Sequence, residues 1–462
     1  MNALTMLEAS KLKYHALHPR KPFMSAPSAG ILKPPEQEQK PEVTEQQKNS
    51  PRISLRDFFV YLGPTLIVSL AYIDPGNFGT DIAGGSVFNY TLVWAVWMAS
   101  IFAMVLQYLS GKLGIATGNS LSQLLRGSLK YRSRIIPYWL AAEIAIAATD
   151  LAEYLGTVIA LNILFGIPLL YASIFGALDV IILLALTSNR FRVIEYFFMV
   201  FVSIIAIGFL YELLLVGPNL QQIGIHSLSP SISGGTVLTV VGIVGATVMP
   251  HVLWLHSSLT SEKLGRWGIK ENEHPPRKKL LGLHLRENVV ILAIAGCVNV
   301  AILVMAAAAF FGHGYTNISQ IKDAYDILGP LFGSLSATVF ALTLLASGIA
   351  SSVVGTLAGQ EVMTGLLGVK VNPYLRRIVT RFINVIPTTA CILIGFSPLA
   401  LLFYSQVFLS VLIPLPMIPL IWYTSKKRTM GSFVNRRIMT ILALAVGATI
   451  IALNIALLYT SV

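Results

Sequence analysis

From Phe58 onward, apolar segments recur along the chain with short breaks, and each is about as long as a bilayer is thick. A helix of about 20 apolar residues crosses the ~30 Å hydrocarbon core. Soluble domains carry about 25% charged residues, whereas this chain is 12% charged and 55% apolar, with a mean hydropathy of +0.71. An ordinary water-soluble enzyme is thereby excluded, and an all-α polytopic membrane protein is expected, because helix satisfies its own backbone groups in lipid. The expected segments cover residues 57–85, 89–114, 136–164, 167–187, 192–216, 235–260, 288–311, 329–365, 377–396, 398–424 and 437–460, eleven in all. Residues 1–55 differ in kind, with seven prolines and many Gln and Glu, and read as a disordered tail. Cys297 and Cys391 lie inside apolar runs with no Cys-x-x-Cys, which supports neither a disulfide framework nor a cysteine metal site.

Charge tests this segmentation, because short cytoplasmic loops collect Lys and Arg. With the tail counted as one end, 32 of the 33 Lys and Arg fall on alternate connections, and only Lys322 falls on the other side. The expected orientation is a multi-pass protein of the cell membrane with its amino terminus cytoplasmic and its carboxyl terminus extracellular. The net charge of +12 then follows from orientation and anionic headgroups. No nucleic-acid partner is needed.

Segment 57–85 is interrupted two-thirds along by Asp74-Pro75-Gly76-Asn77. Proline removes a backbone donor and glycine loosens the turn. Carbonyls freed at that depth are tolerated only beside protein or a water-filled cavity. An ionised Asp74 without a partner would cost at least ~2.5–3.5 kcal/mol, so it should meet a cation. The plainer alternative is a proline kink with Asp74 paired to an arginine. Segment 235–260 repeats the device in Gly242-Ile243-Val244-Gly245-Ala246-Thr247-Val248-Met249-Pro250-His251. Five segments separate the two breaks, and an odd step reverses direction. Two oppositely directed, proline-broken helices mark an inverted-repeat transporter with its site between the breaks. Segments 1–5 (56–216) and 6–10 (235–424) would form the repeats, and residues 425–462 would add a loop and an eleventh helix.

The residue types at the breaks select a ligand class. Asp74 and Asn77 supply hard oxygens, the Ala246 carbonyl another, and Met249 a thioether. A thioether adds little for Mg²⁺ or Ca²⁺ but suits transition metals, so the set favours Mn²⁺, Fe²⁺, Co²⁺ or Cd²⁺. Met249 could instead be one more packing methionine, among twelve. Gln406 is a further oxygen donor or, equally, an interhelical hydrogen-bonding group. Segment 3 carries Glu143, Asp150 and Glu153 on neighbouring parts of one face. Arg376 and Arg377 are candidate partners. Acids that alternate between two exposures serve proton coupling, while a static buried salt bridge is the other reading. His251, beside Pro250, is either a titrating group or a structural histidine.

These residues resemble the Nramp (natural resistance-associated macrophage protein) family of divalent metal transporters. The likeness rests on Asp74-Pro75-Gly76-Asn77, Met249-Pro250-His251, Asp150-Leu151-Ala152-Glu153, Ala358-Gly359-Gln360 and Ser405-Gln406-Val407, and covers residues 56–424. It implies a LeuT-like 5+5 inverted repeat with broken helices 1 and 6, and import of Mn²⁺ or Fe²⁺ coupled to protons. It also implies metal ligation by Asp74, Asn77, the Ala246 carbonyl, Met249 and Gln406, and a proton route from Asp74 through His251 toward Asp150, Glu153 and Arg377. Ala346-Ser347-Gly348-Ile349-Ala350-Ser351-Ser352 departs from the family pattern, which usually has a Gln and a Ser/Thr-rich run there. Met249 argues against the branches that carry Mg²⁺ and Al³⁺.

An amino-acid carrier on the same fold is the main alternative, but an anion at Asp74 opposes a substrate carboxylate. An intramembrane enzyme lacks His-Glu-x-x-His and a second catalytic aspartate, so no enzymatic activity is expected. No cofactor is expected beyond the transported ion. The expected partners are the metal ion, protons and the lipid bilayer, with a monomeric protein.

Overall fold

The computed structural model describes residues 63–176, 191–266, 274–316, 318 and 320–460. The tail expected over 1–55 lies outside these residues, as does the second half of the segment expected over 167–187. The described residues are almost wholly helical: α1 (Pro64–Ser69), α2 (Pro75–Phe88), α3 (Val93–Thr117), α4 (Leu121–Leu129), α5 (Arg132–Phe165), α6 (Leu169–Phe175), α7 (Phe191–Val216), α8 (Leu220–Leu228), α9 (Gly234–Val248), α10 (Pro250–Arg266), α11 (His274–Ala309), α12 (Ile321–Phe332), α13 (Ser334–Val362), α14 (Pro373–Leu393), α15 (Pro398–Leu412), α16 (Pro414–Thr424) and α17 (Arg437–Thr460). Among them, eight stretches are long and apolar enough to cross a membrane, and Pro64–Ile73 and Ile378–Leu393 are shorter apolar helices.

Two boundaries differ from expectation for local reasons, and one lysine is buried in a helix. The span expected over 329–365 is two helices, because Gly333, at φ 95°, ends the amphipathic α12 and α13 begins at Ser334. The span expected over 398–424 is present as Pro398–Thr424, interrupted within at Pro414, which cannot supply the backbone donor that continues α15. α11 begins well before residue 288, so Arg277, Lys278, Lys279 and Arg286, expected in a connection, lie on a helix. Lys112 is inside α3, buried, and donates to Asn435 Oδ1 at 2.7 Å. Charge counting could not see this, since it weighs a residue's type and not its partner.

Close backbone approach holds the bundle together, as small residues permit in lipid. A Cβ on Gly85 would lie 2.3 Å from the Leu303 carbonyl oxygen, so α2 and α11 touch through backbone. A Cβ on Gly156 of α5 would lie 2.2 Å from Pro75 Cγ, which seats α5 against the first break. A Cβ on Gly245 would lie 1.9 Å from the Gln406 carbonyl oxygen and 2.9 Å from Ser410 N, which brings α9 onto α15. Backbone cannot step aside as a side chain can. Gly245→Val should therefore lower stability by about 1–3 kcal/mol or more, read as a lower unfolding midpoint in detergent. An unchanged midpoint would mean that α9 and α15 can separate freely.

Candidate cation site

Both expected breaks are present, and one side chain joins them. α1 tightens into a 3₁₀ turn at Leu70–Ile73, and Asp74 then leaves helical geometry at φ −96°, ψ 167° before α2 restarts at Pro75. α9 ends at Val248, and Met249, at φ 38°, links it to α10. Positive φ is uncommon in a residue with a Cβ. The carbonyls freed at the first break are met by side chains. Ser347 Oγ donates to Ile73 O at 2.6 Å, and Asn299 Nδ2 donates to Tyr72 O at 2.9 Å.

Asp74 caps α2, its Oδ1 accepting from Asn77 N at 2.9 Å and from Asn77 Nδ2 at 2.7 Å. Thr247 Oγ1 donates to Asn77 Oδ1 at 3.0 Å, which turns the amide nitrogen inward. That nitrogen faces Asp74 Oδ1, Tyr72 O at 3.2 Å and Ala246 O at 3.2 Å. Three acceptors surround a group with two hydrogens. Oxygens from both breaks thus converge on a position now held by a partial positive charge. Asp74 Oδ2 and Gln406 Oε1 are buried without hydrogen-bond partners, and a Cβ on Gly76 would lie 2.5 Å from Gln406 Nε2 and 2.8 Å from Asp74 Oδ2. Asp74, Asn77, Ala246, Met249 and Gln406 are all buried. Among the described residues no group of three or more His, Cys, Asp and Glu could hold a metal. The groups brought together at this point are the Asp74 carboxylate, the Asn77 amide and the Ala246 and Tyr72 carbonyls, while Met249 is buried in the surrounding apolar cluster.

The sequence profile described as "Natural resistance-associated macrophage protein-like" matches residues 65–460. The chain belongs to the Nramp family. It is 40% identical over 400 residues to the divalent metal cation transporter MntH of Granulibacter bethesdensis, covering 86% of this chain and 88% of that protein. It is 38% identical over 401 residues to MntH of Deinococcus radiodurans, covering 87% and 89%. The Eremococcus coleocola manganese transporter superimposes with a TM-score of 0.78 at 31% identity, over 88% of this chain and 86% of that one. Mhp1, a nucleobase-cation-symport-1 family transporter, superimposes with a TM-score of 0.57 at 16% identity, over 86% and 89%, a likeness of fold alone. The fold is all-α, membrane-spanning and LeuT-like.

In this Nramp chain the acids of α5 fall into two groups. Asp150 and Glu153 are buried and pack against Gly355 of α13, whose Cβ would lie 2.9 Å from Asp150 Oδ1 and 2.8 Å from Glu153 Oε2. His251 Nδ1 is 3.3 Å from Thr149 Oγ1, and that hydroxyl spends its hydrogen on Ala145 O at 3.0 Å. In the neutral ring, therefore, Nδ1 carries the proton toward Thr149, and the buried Nε2 has no partner. Glu143 lies apart from these groups, in a two-pronged ion pair with Arg376 at 2.7 and 3.1 Å, and also accepts from Trp139 Nε1 at 3.0 Å. The side chain of Arg377 lies outside the described residues.

Several participants escaped the sequence reading. Thr247 lies within the second break motif but offers no metal-ligand chemistry of its own, so nothing marked it. Asn299 and Ser347 are single polar residues in apolar segments. Asp81, one turn beyond Asn77, is buried with neither oxygen hydrogen-bonded; an acid four residues past a quoted motif was a usable signal. Gln107 links Tyr72 and His256, at 2.8 Å each, and Glu287 Oε1 accepts from Gly63 N at 2.7 Å and Thr65 N at 3.1 Å, capping α1.

Arg376→Ala should strand the half-buried Glu143 and destabilise the protein by about 1–3 kcal/mol, since exposure on one side tempers the loss. Thermal unfolding in detergent reads this, and Glu143→Gln combined with Arg376→Gln should recover most of it. No recovery would show that Arg376 acts through Gly359 and α13 packing instead of through charge.

Proposed function

We propose that the chain imports divalent transition metal ions across the cell membrane by alternating access, coupled to protons. One observation carries this reading. Oxygens from two oppositely directed helix breaks converge on a single buried point, and two further buried acceptors, Asp74 Oδ2 and Gln406 Oε1, have no hydrogen bond. That is an arrangement for a cation. It is unsuited to an amino-acid carboxylate, because Asp74 already occupies the first-turn donor of α2 that an anion would need.

The mechanism follows from these groups. An ion entering from outside sheds water to Asp74, the Ala246 carbonyl, Met249 and Gln406, and the Asn77 amide turns so that its oxygen faces inward in place of its NH₂. That turn breaks the Asn77–Asp74 and Asn77–Ala246 hydrogen bonds that tie the breaks together, so binding and rearrangement of α1, α2, α9 and α10 are linked. The proton leaves by the histidine one residue past Pro250: His251 offers Nε2, and Thr149, Asp150 and Glu153 continue the route along α5, toward Glu143, Arg376 and Arg377. The thioether weights the site toward Mn²⁺, Fe²⁺, Co²⁺ and Cd²⁺ and against Mg²⁺ and Ca²⁺. The amino terminus is cytoplasmic, the carboxyl terminus extracellular, and the working unit a monomer.

Asp74→Ala should abolish Mn²⁺ uptake into proteoliposomes, together with the internal acidification that accompanies it in the parent protein. Uptake at the parent rate would remove the site, and parent uptake with no pH change inside would remove proton coupling. Met249→Ala should keep Mn²⁺ uptake measurable but let Ca²⁺ compete at about tenfold lower concentration, a shift corresponding to ~1.4 kcal/mol of selectivity. Competition by Ca²⁺ at the parent level would refute the role of sulfur.

A further inference from the structure

α4 lies across the connection between α3 and α5, pinned at several points. Ser122 bonds Glu361, and the Tyr423 hydroxyl is 2.6 Å from Ser128 Oγ and 3.0 Å from Leu124 O. Between α4, the first turns of α5 and the π-turn that ends α13 is a cavity of about 670 Å³. Its rim is basic, formed by Arg126, Lys130 and Arg132, and its floor is apolar, formed by Ile135, Leu366 and Leu367. All three cations are exposed, none pairs with a described acid, and no acid lines the cavity. The Arg126 guanidinium lies against Gly368, itself at φ 72°, where a Cβ would come within 2.1 Å of it. Lys130 closes α4 at φ 57°.

The helix that carries Arg132 continues as a ridge of exposed apolar side chains four residues apart, Ile136, Leu140 and Ile144, at 38%, 48% and 52% exposure. Positions four apart stack along one side of a helix. The basic, apolar-lined cup is formed in part by Arg132 and Ile135, at the start of the helix that carries this ridge, an order that matches a phosphate headgroup followed by an acyl chain. Basic pockets between membrane helices recognise anionic headgroups in this way.

We propose that this cavity binds the headgroup of an anionic glycerophospholipid, with one acyl chain lying along Ile136, Leu140 and Ile144. A free phosphate ion shares the headgroup chemistry but has no use for the ridge. The bound lipid braces α4 against the ends of α5 and α13, in the same connection that Ser122 and Glu361 clasp.

The full-length protein would be purified and its retained lipid measured by native mass spectrometry after exchange into phosphatidylglycerol or phosphatidylcholine. The parent should retain phosphatidylglycerol, and Arg126→Gln, Lys130→Gln and Arg132→Gln together should weaken retention about a hundredfold, from three lost headgroup contacts. Lys427→Gln with Arg428→Gln, on a different basic connection, should leave it unchanged. Equal retention by the triple variant, an equal loss in the control, or displacement by millimolar inorganic phosphate would each overturn the proposal. A second measurement keeps every charge: in Leu140→Trp the added emission should be quenched more by brominated phosphatidylglycerol than by brominated phosphatidylcholine, and equal quenching would refute the ridge.

Discussion

Everything at the centre of this molecule depends on one amide. Two helices are interrupted at membrane depth, where the groups they release must be met by protein or by a water-filled cavity. Asn77 meets part of that demand at both interruptions at once. Its nitrogen reaches Tyr72 O and Asp74 Oδ1 on one side and Ala246 O on the other, and its oxygen accepts from Thr247. The unwound stretches of α1–α2 and α9–α10 are therefore tied together by a side chain that can rotate, whereas a backbone connection could not let go.

The helices around that amide approach one another through backbone. Gly156 lets α5 lie on Pro75, Gly245 lets α9 lie on α15, and Gly85 lets α2 lie on α11, each at a distance that admits no Cβ. Ser347 and Asn299 supply donors from α13 and α11 to the two carbonyls ahead of Asp74. A closely packed frame around two interrupted helices fits the alternating access proposed above.

Much of this was legible in the sequence, because the strongest signals were violations of the membrane's own rules. Proline, glycine and an acid inside an apolar run could only mean a break, and the two breaks, with their reversed directions, pointed to inverted repeats. The acids of the third segment stood out for the same reason, and Arg376 was correctly picked as a partner, for Glu143. Neutral polar residues were harder to read. Thr247, Asn299, Ser347 and Gln107 cost little in a helix and carry no formal charge, so only their neighbours reveal what they do. One boundary suffered where a single glycine divided an apolar run, at Gly333. The rule of basic loops placed Lys112 and Arg286 in connections although both belong to helices.

Met249 sets one more condition. Its backbone adopts a left-handed turn, φ 38°, that glycine would enter without strain. An ordinary residue there stores of order 1–3 kcal/mol. The strain at the junction between α9 and α10 therefore sits on the residue whose sulfur is proposed as a ligand, and straightening that corner would relieve it while moving the sulfur.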